Sequence, residues 1–303
     1  MNRVLIVYYT GTGSTELIAN EVKNNLANRG VSVEMHRLTE YTKEEITLKA
    51  SSGHQLILIY AVHAFNAPDI VYKWLRTLDD QSVADGENKK AMIISVSGSG
   101  DMFTNTACRQ PAKRLLTKKG YRVVTEAMAA MPNNWMSPTP MPVSKALIAI
   151  MPRKVNEWLD AFQQNQAYPV LSTKLIDRVM TKLGRFEAYG AVQFGKNIKV
   201  RDACNGCGWC EKHCPSGNIK LSLKEGASFP TPVFDKVCDF CLGCVYGCPQ
   251  NALVPGKLKF AVIPTGYPLD EYKQPQEVAL DDSALAAILE SGSWKGVRRY
   301  LGV

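Results

Sequence analysis

The chain has 303 residues, with 36 Lys and Arg against 28 Asp and Glu and a formal net charge of +8. That length suits two domains better than one, and no apolar run approaches a bilayer crossing, so no membrane insertion is expected. The basic residues are scattered and lack a stacking-aromatic platform, which argues against nucleic acid as a partner.

Met1 leads almost directly into Arg3–Tyr8, a continuous apolar run that reads as a strand buried on both faces rather than as a leader peptide. Thr10-Gly11-Thr12-Gly13-Ser14-Thr15-Glu16 follows. Small residues let this backbone curl so that consecutive N–H groups form an anion-binding nest. The helix that starts there, carrying Ile18, Val22 and Leu26, adds its positive end. Four hydroxyls and no Lys or Arg suit a cofactor monophosphate better than a magnesium-bound triphosphate. A Walker loop would end in Gly-Lys, and a dinucleotide fingerprint would need glycine where Glu16 stands.

Further strands are expected at Val31–Leu38, Leu56–Ala61, Ala91–Val96 and Tyr121–Ala127. Between them lie a helical stripe (Ile70, Val71, Trp74, Leu75, Leu78) and a helix from about Asn105 to Lys119, with Pro111 in its first turn. A last helix from about Val143 contains Pro152, which predicts a kink or two shorter helices. Strand–helix alternation implies a doubly wound parallel sheet. Five strands suit the order 2-1-3-4-5, with the ligand at their carboxyl ends.

The stretch from Val7 to Ala19 closely resembles the FMN phosphate loop of flavodoxins, and the resemblance extends through Val22. It implies FMN, with its phosphate on Thr10, Gly11, Thr12, Gly13, Ser14 and Thr15. The flavin ring would then lie between the loops after strands 3 and 4. Those loops offer Ala61, His63, Phe65 and Asn66 on one side, and Ser97, Gly98, Ser99, Gly100 and Asp101 on the other. Phe65 or Phe103 could stack on the ring, and Pro132-Asn133-Asn134-Trp135 could reach the same rim. Cys108, just beyond the strand-4 loop, reads as a small buried thiol.

Residues 166–195 read as a helical connector. Ser172 would cap a helix whose stripe of Leu171, Leu175, Ile176, Val179, Met180 and Leu183 packs between two domains. Two cysteine runs come next: Cys204, Cys207, Cys210, Cys214, Pro215 and Cys238, Cys241, Cys244, Cys248, Pro249. Each reads C-x2-C-x2-C-x3-C-P, the spacing in which three thiolates hold one four-iron cluster and the fourth serves the other. The expected sets are Cys204, Cys207, Cys210 with Cys248, and Cys238, Cys241, Cys244 with Cys214. A zinc ribbon would leave the third cysteine of each run idle. His213 and Trp209 sit beside ligands, where a surface position and a shield against water are the expected roles. Residues 197–255 resemble a bacterial two-cluster ferredoxin and its internal repeat. From Lys196 to Lys259 there are nine Lys and Arg against five Asp and Glu, so this unit is itself basic.

The expected organisation is 1–165 flavodoxin-like, 166–195 connector, 196–256 a small α+β ferredoxin-like domain, and 257–303 a tail. The tail ends in a helix from Asp282 and either wraps a domain or covers a cofactor. As a whole the chain resembles the flavodoxin–ferredoxin fusion proteins of anaerobic bacteria. That resemblance implies an α/β flavodoxin-like doubly wound five-stranded parallel sheet joined to a ferredoxin, with two [4Fe–4S] clusters and FMN. It further suggests low-potential electron transfer of oxidoreductase type. Reduced thiolates without an export signal point to the cytoplasm, and the positive charge suits an acidic partner such as a ferredoxin or flavodoxin. A terminal reductase of a small organic substrate or quinone, and a redox-sensing or scaffold protein, are the alternatives. Donor, acceptor, potentials and oligomeric state are not legible.

Overall fold

A computed structural model of the chain describes residues 3–51, 54–80, 89–102, 104–273 and 283–303. Five strands, β1 (Arg3–Tyr9), β2 (Ser32–Arg37), β3 (Gln55–Ala61), β4 (Lys90–Ser97) and β5 (Arg122–Ala130), form one sheet. Its order is β2-β1-β3-β4-β5 and every pair is parallel. The continuous apolar run of β1 has a simple cause. Val4, Ile6 and Tyr8 face one core, under α1 (Ser14–Asn28) and α5 (Met141–Gln163). Leu5, Val7 and Tyr9 face the other, under α2 (Lys43–Ser51), α3 (Asp69–Thr77) and α4 (Gln110–Lys118). Helices on both faces leave no polar side to alternate with.

Several expected elements are corrected. The helix placed from Asn105 begins at Gln110, with Pro111 in its first turn, where its missing N–H removes no helical bond. α5 is one helix and not two: it runs unbroken through Pro152, with residues from Val143 to Phe162 buried along it. Asp282 lies outside the described residues, and the helix there is described from Ser283.

The connector differs most. α6 (Leu175–Leu183) is capped at Lys174, not Ser172. Its Leu175, Ile176, Val179 and Leu183 are exposed, so the expected stripe does not pack between domains. The inward residues are polar, Asp177 and Thr181, one turn apart. Asp177 accepts hydrogen bonds from the Thr104 N–H (2.6 Å), the Thr106 hydroxyl (2.7 Å) and the Lys174 N–H (2.9 Å). Thr181 donates its hydroxyl to the Phe65 carbonyl (3.1 Å), and its own carbonyl accepts from Asn66 (2.7 Å). Both loops at the sheet's carboxyl edge therefore hang on this helix, which needs polar groups on its inner face.

A 3-10 turn at Gly184–Phe186 and α7 (Glu187–Lys196) lead into the cysteine-bearing unit. It holds two antiparallel ribbons, β6 (Ile198–Val200) with β9 (Leu253–Pro255) and β7 (Ile219–Ser222) with β8 (Thr231–Phe234). Two short helices, α8 (Trp209–His213) and α9 (Gly243–Tyr246), follow the cysteine loops. The unit sits on the carboxyl edge of the large sheet. Arg37 donates to the carbonyls of Thr10 (3.1 Å) and His213 (3.2 Å), the Glu40 N–H donates to the Pro215 carbonyl (2.7 Å), and Lys220 pairs with the Tyr41 hydroxyl (2.9 Å).

The tail wraps the large sheet, the first of the two roles expected of it. Through α10 (Leu269–Tyr272) it crosses the Gly13 turn. Through α11 (Ser283–Leu289) and α12 (Lys295–Leu301) it then returns to the first core, where Leu285, Leu289, Val297, Tyr300 and Leu301 are buried. Leu301→Ala should therefore unfold the large sheet more easily, by about 2–5 kcal/mol. Urea unfolding of the full chain measures this, and an unchanged midpoint would place the tail outside the core.

Candidate functional site

β1 ends against a loop with nothing bulky in it. Gly13 takes a left-handed φ of 99°, which a side chain resists, and its N–H donates to the Thr10 hydroxyl (3.0 Å). α1 starts immediately after it with no side chain capping its first N–H groups. These orphan donors and the helix dipole leave an anion site at the end of β1.

That loop forms one side of a cavity of about 360 Å³, within the roughly 300–1,000 Å³ of small-molecule pockets. Among the sequence-predicted residues, Thr10, Gly11, Thr12, Ser14 and Thr15 line it, as do Ala61, His63, Phe65, Ser97, Gly98 and Ser99. Trp135 is at its rim. No Lys or Arg lines it among the described residues, so any phosphate there meets neutral donors only.

Four expected contacts fall elsewhere. Gly13 turns towards the tail: a Cβ on it would lie 2.8 Å from Leu269. Gly100 abuts the Gly296 carbonyl of α12. Asp101 accepts from the Leu171 N–H (2.7 Å) and lies 3.8 Å from the buried Arg109, so its carboxylate is occupied in holding the connector. Asn66 is buried between the Thr181 carbonyl and the Tyr72 hydroxyl (3.2 Å). Phe103 lies outside the described residues. Cys108 is fully buried and does not reach the cavity.

The opposite wall comes from the second cysteine run. Phe240, Cys241 and Leu242 line the same cavity. The two segments touch backbone to backbone: a Cβ on Gly11 would lie 2.5 Å from both the Cβ and the carbonyl oxygen of Cys241. A Cβ on Gly243 would lie 2.6 Å from the Gly11 carbonyl. Phe240 stacks on Phe194 with centroids 4.1 Å apart, and Trp135 meets it edge-on at 6.4 Å. Backbone strain gathers here too. Ala64, Phe65, Thr104, Phe240 and Leu242 all have positive φ, all line this cavity, and none is glycine. Strain of this kind persists where surrounding structure over-determines the backbone, as at ligand clamps.

The loop after β5, expected at the rim, lines the cavity through Pro132, Asn133, Asn134 and Trp135, and the tail, which was not expected there, braces it from behind. Asn134 donates to the Thr12 hydroxyl (2.8 Å). The Tyr267 hydroxyl of the tail donates to the Pro132 carbonyl (2.9 Å) and meets Ser14 Oγ at 2.5 Å. Tyr267 carried no sequence signal, because it is an isolated aromatic in an irregular segment. Phe240 could have been found, since it sits between two cysteines of a run already singled out.

His63 bridges the two units. Its Nδ1–H donates to the Asp239 carbonyl (2.9 Å), and its ring meets Tyr9 edge-on. Burial pushes its pKa down to about 4. Glu187, which also lines the cavity, is pushed up to about 7 by burial and then by the charge of Asp239.

The cysteines gather as two quartets. Cys204, Cys207, Cys210 and Cys248 line one small cavity. Cys238, Cys241 and Cys244 each feel the charge of Cys214. Burial pushes the Cys210 and Cys241 thiols up to about 11, with neighbouring cysteines adding to the rise. Bare thiols at Cys210 and Cys241 would stay protonated, whereas bound iron would supply the positive charge that a cluster of thiolates needs. N–H groups already point at sulfur, from Asn218 to Cys214 (3.3 Å), Phe240 to Cys238 (3.4 Å) and Ala252 to Cys248 (3.3 Å). Among the described residues no three ligand-type groups close around a single ion. Trp209 stacks on His213 at 4.2 Å and covers Gly247, so it shields the join between the two runs. His213 bonds the Trp209 carbonyl rather than a sulfur.

Residues 203–253 match the 4Fe-4S dicluster domain family. The ferredoxin-type protein NapF of Haemophilus influenzae is 36% identical over 53 residues, which is 18% of this chain and 30% of the relative's length. Solved structures overlap the first half. Flavodoxin 2 of Bacillus cereus is 17% identical, covering 53% of this chain and 99% of its own, with a TM-score of 0.37. Megasphaera elsdenii flavodoxin is 22% identical, covering 41% and 84%, with a TM-score of 0.31. Rubredoxin oxygen:oxidoreductase of Desulfovibrio gigas is 16% identical, covering 55% of this chain and 37% of its own, with a TM-score of 0.39. It is the strand order itself that assigns the flavodoxin-like fold.

Gly11→Ala should force the cysteine loop off the phosphate-type loop and lower stability by about 1–3 kcal/mol. Gly190→Ala, in open space on α7, should raise it by about 0.5–1 kcal/mol. Denaturant unfolding of both variants measures the contrast, and equal effects would deny the close approach. His63 binds its proton more readily when unfolded, with a pKa of about 6.5 against about 4 when folded. Its contribution to stability therefore rises with pH across that interval, by up to ~1.4 kcal/mol per unit. His63→Asn keeps an amide donor for the Asp239 carbonyl but does not titrate. Subtracting the variant's stability from that of the wild type should give a curve that climbs from pH 4 to 6.5 and is level above. A difference level throughout would mean the imidazole is not buried.

Proposed function

We propose that this chain, which joins a flavodoxin-like sheet and a 4Fe–4S dicluster domain in one polypeptide, is an electron-transfer iron–sulfur flavoprotein carrying two [4Fe–4S] clusters and one FMN. The observation that carries the reading is the shared wall: Cys241 is at once a cluster-type cysteine and a lining residue of the cavity at the end of β1. Bound in these places, the clusters would supply one-electron steps and the flavin one- or two-electron chemistry.

The chain's residues divide that work. Thr10, Thr12, Ser14, Thr15 and the first N–H groups of α1 would hold the phosphate without a counter-cation. The loops at 61–65 and 97–99, fixed from behind by Asp177 and Thr181, would hold the ring. Phe240, Leu242 and Trp135 keep water from the space between the ring site and Cys241. Cys207 is the exposed cysteine of the first quartet. A groove lined by Lys196, Arg201, Lys224 and one acid, Asp202, shares Cys204 with that quartet. These cations and the exposed Phe229 suit an acidic one-electron carrier such as a ferredoxin or flavodoxin.

Anaerobically purified, cofactor-replete protein mixed separately with NADH, NADPH and a reduced low-potential ferredoxin tests this. Ferredoxin alone should bleach cluster and flavin absorbance rapidly. Phe240→Ala should slow the flavin phase and leave the first cluster phase intact. Rapid bleaching by a nicotinamide, or iron content matching a single cluster, would overturn the reading.

A further inference from the structure

α6 is inside out. A helix at a protein surface ordinarily turns its apolar stripe inward, yet α6 buries Asp177 and Thr181 and exposes Leu175, Ile176, Val179 and Leu183. The same exposed surface continues through the 3-10 turn into α7. Leu175 is 77% exposed, Phe186 76% and Tyr189 72%. Six large apolar side chains within fifteen residues form a patch of the kind monomeric proteins avoid unless it is used.

The exposed charges within the segment are of one sign. Lys174, Arg178, Lys182 and Arg185 are all exposed. The two acids of the segment point away: Asp177 is buried under the helix and Glu187 lines the flavin-type cavity. A strongly amphipathic helical segment with large apolar and aromatic residues on one side and only Lys and Arg flanking them has the makeup of an interfacial membrane anchor. Among the described residues no helix is long and apolar enough to span a bilayer, so the contact would be peripheral.

We propose that Leu175–Tyr189 docks this protein onto an anionic lipid surface, with the apolar residues at the headgroup boundary and the four cations on lipid phosphates. Charge decides between occupants. A second copy docked about a two-fold axis would bring four cations against the same four, which is unfavourable. An acidic electron carrier has its own site, because the exposed Cys207 and its basic groove include no residue of 174–189. Fluid anionic lipid accepts both the cations and the protruding Leu, Phe and Tyr side chains without needing a shaped pocket.

The test is flotation of the cofactor-replete full chain with vesicles of phosphatidylcholine alone or mixed equally with phosphatidylglycerol. Binding is expected only to the mixed vesicles, and it should weaken as salt rises. Arg178→Gln with Lys182→Gln should reduce partitioning roughly thirty-fold, and Leu175→Ser with Phe186→Ser should abolish it. These side chains are exposed, so both variants should fold, keep their iron and flavin, and be reduced in solution as the wild type is. A variant that binds vesicles poorly yet is reduced normally separates this proposal from the electron-transfer reading. No binding at low salt, or binding that both variants retain, would overturn it. So would a wild-type dimer that the Leu175/Phe186 variant dissolves, which would give the face to a second copy. A variant that floats normally but is reduced slowly by an acidic ferredoxin would likewise overturn it, giving the face to the carrier.

Discussion

Gly11 and Cys241 touch where neither can carry another atom. Most of the molecule is arranged to keep that contact. A bulkier residue at 11 would push away the loop that carries three cysteines, and one at 243 would push back on the Gly11 carbonyl. Arg37, Glu40, Tyr41 and His63 then bind the cysteine-bearing unit at positions along the same sheet edge. Single links of this kind are each worth only about 1 kcal/mol. Spread across an edge, they oppose rotation about any one of them. The separation of the loop after β1 from the second cysteine run is thereby set by backbone contact.

The two ends of this contact were the most legible parts of the chain. Cysteine spacing is a local property, and so is the glycine- and hydroxyl-rich turn after β1. Each announces its chemistry within a dozen residues. The strand order was also legible, because two-sided burial leaves continuous apolar runs. What local pattern could not show was juxtaposition. Phe240 and Leu242 become cavity walls only because their loop lands on Gly11, and Tyr267 matters only because the tail crosses Ser14. Asp101 and Asn66 sit in the expected loops, but partners some 70 and 115 residues away claim their side chains. The α6 stripe misled for a related reason. Periodicity locates an apolar face, and burial was inferred from it, whereas the anchoring was done by Asp177 and Thr181.

The connector has a mechanical role that its exposed face obscures. Asp177 gathers the loop after β4 and Thr181 the loop after β3, so one turn of helix spans both sides of the cavity. The left-handed residues Ala64, Phe65 and Thr104 lie in those two loops. Their strain is borne by hydrogen bonds to α6, which makes the cavity's shape a property of the connector as much as of the sheet.

The return of the tail has a consequence for how the chain is made. The core under α1 and α5 includes Leu285, Leu289, Val297 and Leu301. During synthesis the large sheet therefore waits for residues nearly three hundred positions behind its first strand. Both cysteine runs leave the ribosome before that wait ends. Iron can reach the thiolates while the neighbouring domain is still open. Docking of α11 and α12 then closes that core, and a chain stalled before that point would expose apolar sheet beside unligated cysteines.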